Sequence, residues 1–367
     1  MTVVSSIITI PAITAGCLYV LRRKITSKWI DLSQKEYSDR DGSNIPSNLN
    51  GKVVVITGGN TGLGYHVAYD IAKRNGSVVL GCRNIEKGNE ALATITKKTG
   101  NSNVDCIPLD LGDLKSIDEF TAIFKEKYSK DHIHAIICNA GVWIPMEQKK
   151  KTKNNFEAHF GINHLGHYLL VQNLITVIKE SQPIQNPCRF VFVSSSLMKN
   201  GKLNMENRDF IYEGRKENET NEDGKKKKNK SFAPTGYCDS KLMNVLTCKY
   251  FSQKYSQSYD SNQHPNILFY SVCPGWCSTD LGRHVHFPWY MKILFAPISF
   301  TFMRTGYQGA QNILFAALED EKYLQNGGFY KDGKVDEDES GFLSNFLDMG
   351  VEKELCELSE QLVTRRD

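Results

Sequence analysis

Lys52-Val-Val-Val-Ile-Thr-Gly-Gly-Asn-Thr-Gly-Leu-Gly64 is the stretch on which the reading of this chain turns. Val53 to Ile56 are all apolar and β-branched, the composition of a parallel strand buried on both faces. Thr57 opens a turn with glycines at 58, 59, 62 and 64, and an apolar-periodic segment follows from Leu63 to Ala72. Strand, glycine turn and helix N-terminus in that order make a phosphate cradle. Bare backbone lets a pyrophosphate approach, and the unpaired N–H groups and helix dipole favour its charge. Glycines also serve turns that hold no ligand, so the cradle needs support from elsewhere in the chain.

Outward from this stretch, strand-like and helix-like segments alternate. Strands are expected at Ser77–Gly81, Val104–Pro108, Ala135–Cys138, Arg189–Ser194 and Asn266–Val272. Helices are expected at Ile85–Lys98, Leu114–Tyr128, Phe156–Lys179 and Tyr237–Tyr255. This is the rhythm of an α/β domain with a doubly wound, mostly parallel sheet and helices on both faces. No repeat of fixed period appears, and residues 51–335 are assigned to one domain, followed by a helical extension over 336–367. Two regions break the rhythm. Residues 213–231, with Lys225-Lys-Lys-Lys-Asn-Lys230, are too polar to bury and are expected to be a disordered insertion. Residues 285–303 are strongly apolar and aromatic, but Lys292, Pro288 and Pro297 argue against a straight membrane span. A lid over an apolar substrate pocket and a plain packing helix both fit them, with shallow membrane contact compatible with either.

The formal net charge of +4 is an uneven average. Nine of the 45 basic residues sit in the runs Lys225-Lys-Lys-Lys-Asn-Lys230 and Lys149-Lys-Lys-Thr-Lys153, and the remaining 36 fall short of the 41 acidic ones. Solvated loops explain such runs, and nothing resembles a nucleic-acid surface with interleaved aromatics. The ten cysteines include no Cys-x-x-Cys pair and no histidines at metal spacing. Neither a metal site nor a disulfide framework is expected, which suits a reducing compartment.

Val3 to Leu21 carries no charge, and Arg22-Arg23-Lys24 and Lys28 come directly after it. The apolar stretch is long enough to cross a bilayer, and the basic flank holds the rest of the chain on the cytosolic side. Residues 1–28 are therefore read as an anchor, 29–50 as a polar linker, and the body as facing the cytosol from the endoplasmic reticulum or a related organelle. A cleaved signal or a merely embedded segment is the alternative, given Pro11 and several Ser and Thr residues.

Two constellations support the cradle. The second strand ends in Gly81-Cys-Arg83, where NAD-preferring sites carry an acid for the ribose 2′-hydroxyl. Cys82 stands there instead, and the Arg83 guanidinium pairs well with a 2′-phosphate, which favours NADP(H). Further on, Tyr237-Cys-Asp-Ser-Lys241 puts a phenol and an ammonium on one helix face. A nearby ammonium stabilises the phenolate and brings its pKa down towards neutrality.

With these marks the chain resembles the short-chain dehydrogenase/reductases over about residues 50–335. The resemblance rests on Thr57-Gly-Gly-Asn-Thr-Gly-Leu-Gly64, Asp110-Leu111, Asn139-Ala-Gly141, Asn163, Val193-Ser-Ser195, Tyr237-x-x-x-Lys241, and Pro274-Gly275 with Thr279. Gly81-Cys-Arg-Asn84, Glu86-Lys-Gly88, Phe160-Gly-Ile-Asn-His-Leu-Gly-His167 and Asp239-Ser-Lys-Leu242 resemble the retinol-dehydrogenase-like branch. That resemblance implies a Rossmann fold, with Gly58, Asn60, Thr61, Gly62, Leu63, Gly64 and Arg83 at the cofactor's phosphates and adenosine ribose. Tyr237 becomes the general acid/base, with Lys241 lowering its pKa and bonding the nicotinamide ribose. Ser195 holds the substrate oxygen, although Ser194 and Ser196 lie one residue to either side. Asn163 holds a relay water, or else is a packing amide bonded to backbone. Asn139, Ala140 and Gly141 lie against the riboses, Asp110 and Leu111 near the adenine, and Pro274, Gly275 and Thr279 at the carboxamide. His164 and His167 read as packing residues.

The function implied is interconversion of a lipophilic alcohol with its aldehyde or ketone, of retinol–retinal type, with NADP(H). A long-chain prenol or steroid substrate is the alternative, and from another class a catalytically idle nucleotide-binding scaffold. The implied partners are a lipophilic small molecule and a membrane, without nucleic acid; the branch admits a homodimer.

Overall fold

The computed structural model describes residues 18–30, 32, 45–181, 187–214, 233–257, 267–278, 281 and 289–365. Eight strands form one sheet in the order β3-β2-β1-β4-β5-β6-β7-β8. They are β1 Lys52–Thr57, β2 Ser77–Cys82, β3 Val104–Pro108, β4 His132–Cys138, β5 Cys188–Val193, β6 Ile267–Val272, β7 Phe329–Lys331 and β8 Lys334–Val335. All neighbours pair parallel except β7 with β8. The strand order reverses between β1 and β4, and in open α/β sheets the crevice at such a point, beyond the strands' carboxyl ends, is where ligands bind.

The β-branched run of β1 has a physical reason. Val53 and Val55 pack into the core on one face, and Val54 and Ile56 into the core on the other. Alternate side chains leave a strand on opposite faces, so a strand covered on both sides has no place for a polar residue. One core is closed by helices Leu114–Tyr128, Gly166–Ser181, Thr235–Gln257 and Val351–Thr364, the other by Gly62–Lys73, Ile85–Thr99 and Gly306–Leu318. In chain order, counting a first helix over 18–26, these helices are α1 (18–26), α2 (Gly62–Lys73), α3 (Ile85–Thr99), α4 (Leu114–Tyr128), α5 (Gly166–Ser181), α6 (Thr235–Gln257), α7 (Trp289–Phe302), α8 (Gly306–Leu318), α9 (Glu337–Asp348) and α10 (Val351–Thr364).

Several expectations meet a different or a silent structure. The helix expected over Phe156–Lys179 begins as a π-helical segment, His159–Leu165, before α5. Such wide turns gather at functional sites, because they displace backbone and side chains by one position. Most of the anchor segment and of the 213–231 insertion, and Thr279, lie outside the described residues. Among the described residues no helix is long and apolar enough to cross a membrane. The 285–303 region is described from Trp289, as α7 with Pro297 inside it.

Candidate active site

A cleft of about 2130 Å³ runs along the carboxyl edge of the sheet. At one end lies the glycine turn. Gly58 and Gly62 adopt positive φ of 64° and 58°, which side chains disfavour. A Cβ on Gly64 would meet Asn139 Nδ2 and the Gly58 carbonyl oxygen at 2.6 Å, so the turn, the α2 start and the end of β4 are interlocked. No side-chain bond caps the first turn of α2, and no acid lies in it. Bare backbone, an open helix N-terminus and room for a long ligand suit a dinucleotide pyrophosphate.

Asn60, Thr61, Leu63, Arg83, Asp110 and Leu111 line the same cleft, as do Asn139, Ala140 and Gly141. Arg83 is exposed at the end of β2. Cys82 is turned inward, where its thiol donates to Asn60 Oδ1 at 3.7 Å. Asp110 Oδ1 accepts from Gly112 N–H at 2.9 Å, which shapes the turn after β3. Pro274 and Gly275 line the opposite wall, with Gly275 at φ 83°.

A threonine and a histidine, neither assigned a task from the sequence, tie this end together. The Thr57 hydroxyl accepts from Asn139 N–H at 3.0 Å and Ala140 N–H at 2.9 Å. It also lies 2.9 Å from His167 Nε2, while His167 Nδ1 faces the Asn163 carbonyl at 3.1 Å. A carbonyl only accepts, so Nδ1 carries the proton, and a neutral ring then takes the Thr57 proton at Nε2. Burial does keep the ring neutral, lowering the His167 pKa to about 4.

At the other end the side chains named from the sequence converge. Tyr237 and Lys241 are buried one turn apart on α6, with the ammonium 5.6 Å from the phenol ring centre. The Ser195 hydroxyl hydrogen-bonds the phenol. Its neighbours are engaged elsewhere: Ser194 donates to the Lys241 carbonyl at 2.7 Å, and Ser196 meets Cys273 Sγ at 3.2 Å. Lys241 Nζ donates to the Val193 carbonyl at 2.8 Å.

Here the electrostatics correct the simple argument from spacing. Burial pushes the Tyr237 phenol above its ordinary value, only partly offset by Ser195, and Lys241 is not among the groups that shift it. The ammonium itself is pushed down by burial, to about 8. With a carbonyl already on Nζ, the pair is two desolvated groups side by side.

Asn163 is fully buried in the π-helical segment. Its Oδ1 accepts from Val142 N–H at 2.8 Å, and its Nδ2 donates to the Val142 carbonyl at 3.1 Å and to Ser240 Oγ at 3.0 Å. These bonds occupy the amide. Two further groups went unnoticed in the sequence. The Trp143 indole lies 4.8 Å, centre to centre, from the Tyr237 ring at 31°. Arg304 is buried beside Gly275, paired with Asp332 at 2.7 Å and lying 4.7 Å from the Trp29 ring centre. The signal for Trp143 was its place two residues past Asn139-Ala-Gly141; Arg304 had none.

Comparison with known proteins agrees with this geometry. Residues 52–207 match the short chain dehydrogenase family. The chain is 38% identical to human retinol dehydrogenase 11 over 287 residues, 78% of this chain and 79% of that protein. It belongs to the short-chain dehydrogenase/reductase family, in its retinol-dehydrogenase-like branch. Mouse retinol dehydrogenase 14 is 29% identical over 99% of both chains. Among solved structures, a short-chain type dehydrogenase/reductase from Mycobacterium marinum aligns with TM-score 0.56 at 19% identity, over 79% of this chain and 97% of that one. A short-chain dehydrogenase from Escherichia coli CFT073, solved with NADPH, aligns with TM-score 0.55 at 17% identity, over 79% and 100%. These two speak for the fold. The protein is a short-chain dehydrogenase/reductase oxidoreductase. Among the described residues no group of histidine, cysteine and acidic side chains could hold a metal ion.

Proposed function

We propose that this enzyme reduces a lipophilic aldehyde or ketone of retinoid type with NADPH, and oxidises the corresponding alcohol when the cofactor pool is reversed. The observation that carries the proposal is one continuous cleft with a glycine turn and Arg83 at one end and Tyr237, Ser195 and Lys241 at the other. Gly58, Asn60, Thr61, Gly62, Leu63 and Gly64 would hold the pyrophosphate, and Arg83 the 2′-phosphate. Asp110 and Leu111 would border the adenine, and Asn139, Ala140, Gly141, Pro274, Gly275 and Thr279 the riboses and carboxamide. When bound, the nicotinamide supplies the hydride.

The chain's own residues handle the oxygen and its proton. Ser195 donates to the substrate oxygen, and Tyr237 gives up its phenolic proton as that oxygen gains charge. A phenol whose pKa is raised by burial is fully protonated at neutral pH, the state that carbonyl reduction needs. Lys241 then stabilises the phenolate left behind, where the buried ammonium acts in a low-dielectric site. Asn163 serves by clamping Val142 at the cleft wall. A water-holding role would have to use its main-chain carbonyl, which His167 already approaches.

Lipophilicity draws support from the cleft's apolar wall, which includes Met291, Ala296 and Phe302 of α7, and from the names of the relatives. The same helix exposes Trp289, Tyr290, Leu294, Ile298 and Phe300. With Arg22 lying 4.9 Å from the Phe300 ring centre, an apolar face beside basic residues suits a membrane surface reached from the uncharged N-terminal stretch. The decisive experiment follows cofactor oxidation with all-trans-retinal, using NADPH and NADH in parallel. Tyr237→Phe should abolish turnover, and Arg83→Asp should move preference towards NADH. Equal turnover in wild type and Tyr237→Phe would sink the mechanism.

A further inference from the structure

The Val142–Ile144 segment that follows Gly141 is gripped from below by one helix. Asn163 holds both main-chain groups of Val142, and four residues earlier His159 Nε2 accepts from Ile144 N–H at 3.0 Å. Residues four apart lie on one helix face, so the two grips act side by side. Val142 and Ile144 are buried together with Ala158. Trp143, between them, is turned the other way and packs over Tyr237. Since Ile144 N–H can only donate, His159 Nε2 is unprotonated and Nδ1–H donates to Glu157 Oε1 at 2.7 Å. Glu157 is fixed in turn: its Oε2 accepts from Phe160 N–H at 2.8 Å, and its own N–H donates to the Ile211 carbonyl at 2.8 Å. The His159 ring also stands edge-on to Tyr237 at 6.4 Å.

We infer that Trp143 is a specificity-determining residue that roofs the reaction end of the cleft, and that Glu157 and His159 are positioning residues that hold this roof at a fixed height. The inference rests on the proposed carbonyl reduction and names its substrate shape. An indole tilted at 31° over the phenol, 4.8 Å between ring centres, narrows the cleft beside the proton donor. A terminal aldehyde on a slender, extended chain enters such a cleft; a secondary ketone within a fused ring system meets the indole. Because two side chains on one rigid helix fix the backbone on either side of Trp143, the roof cannot swing aside without breaking buried hydrogen bonds. The close packing at Gly236, where a Cβ would lie 2.9 Å from His159 Nδ1, ties the positioning pair to the helix that carries Tyr237.

The test measures kcat/KM of the full-length protein with NADPH on all-trans-retinal and on cholestanone, a fused-ring ketone. Trp143→Ala should raise the cholestanone-to-retinal ratio by about tenfold or more, chiefly through a lower KM for cholestanone, while Trp143→Phe stays near wild type. His159→Ala should shift the ratio in the same direction and add nothing to Trp143→Ala in the double variant, since both act through one roof. Glu157→Gln, whose single amide oxygen cannot accept from both His159 Nδ1–H and Phe160 N–H, should shift the ratio in the same direction as His159→Ala. If His159→Ala does not fold, as judged by circular dichroism, Gly236→Ala carries that arm and should raise the ratio. An unchanged ratio in Trp143→Ala overturns the specificity role. A ratio unchanged in His159→Ala or Gly236→Ala, with both substrates slowed alike, overturns the positioning role. A wild type that oxidises NADPH with neither carbonyl defeats the proposed reaction itself, and this inference with it.

Discussion

Lys241 shows at the scale of one residue how burial sets the working range of the site. Its ammonium, ordinarily ionised to pH 10.5, is pushed down to about 8 by burial. Because kcat/KM reports groups of the free enzyme, carbonyl reduction is expected to fall above pH about 8, by about tenfold per unit, as the ammonium is lost. A profile measured with retinal and NADPH that stayed flat to pH 10 would remove Lys241 from the proton economy. The same residue marks the limit of reasoning from spacing. That Tyr237 and Lys241 share a helix face was legible. That the Val193 carbonyl accepts a hydrogen bond from the ammonium was not, because the contact links residues 48 apart in sequence. His159 was illegible too: its meaning lies in what Ile144 brings to it.

At the scale of the element, the glycine turn is the clearest signal and a structure that tolerates little change. Gly64→Ala would set a methyl 2.6 Å from the Gly58 carbonyl, which is backbone and has no rotamer to yield. The expected outcome is a loss of about 2–4 kcal/mol of stability together with loss of the thermal shift given by NADPH, read by melting with and without cofactor. Strands and helices around this turn were readable where periodicity was strong. Val104–Pro108 and Leu114–Tyr128 fall where patterning places them, and β2 ends one residue later than expected. The pattern failed where an element is short or its pitch unusual. Phe329–Lys331 and Lys334–Val335 have too few residues to show a period, and α8 is apolar nearly all round, with ten of its positions buried. The π-helical turn has almost the apolar spacing of an α-helix and was invisible on that ground.

At the scale of the molecule, buried histidines serve the fold and make it sensitive to acid. His164 lies 2.9 Å from Ser359 Oγ of α10, whose own proton goes to the Leu355 carbonyl, so the imidazole is the donor there. Burial lowers its pKa to about 3, that of His167 to about 4, and that of His134 well below the ordinary value. All three are neutral in the folded chain, whereas in the unfolded chain they take up protons below pH 6.5. The unfolded state therefore binds more protons in this window, and stability must fall as pH falls. Their full contribution is present above pH 6.5 and is lost progressively down to about pH 4 and below. His167 alone accounts for about 3 kcal/mol over that interval, since each unit of displacement is worth about 1.4 kcal/mol. Urea unfolding of the full chain between pH 7 and 4 should thus show a steep decline. His167→Gln, which can still bridge Thr57 and the Asn163 carbonyl without titrating, should flatten it. A wild-type slope no steeper than that of the variant would mean that the ring opens to solvent before it charges, and that the Thr57–His167–Asn163 link is weaker than its distances imply.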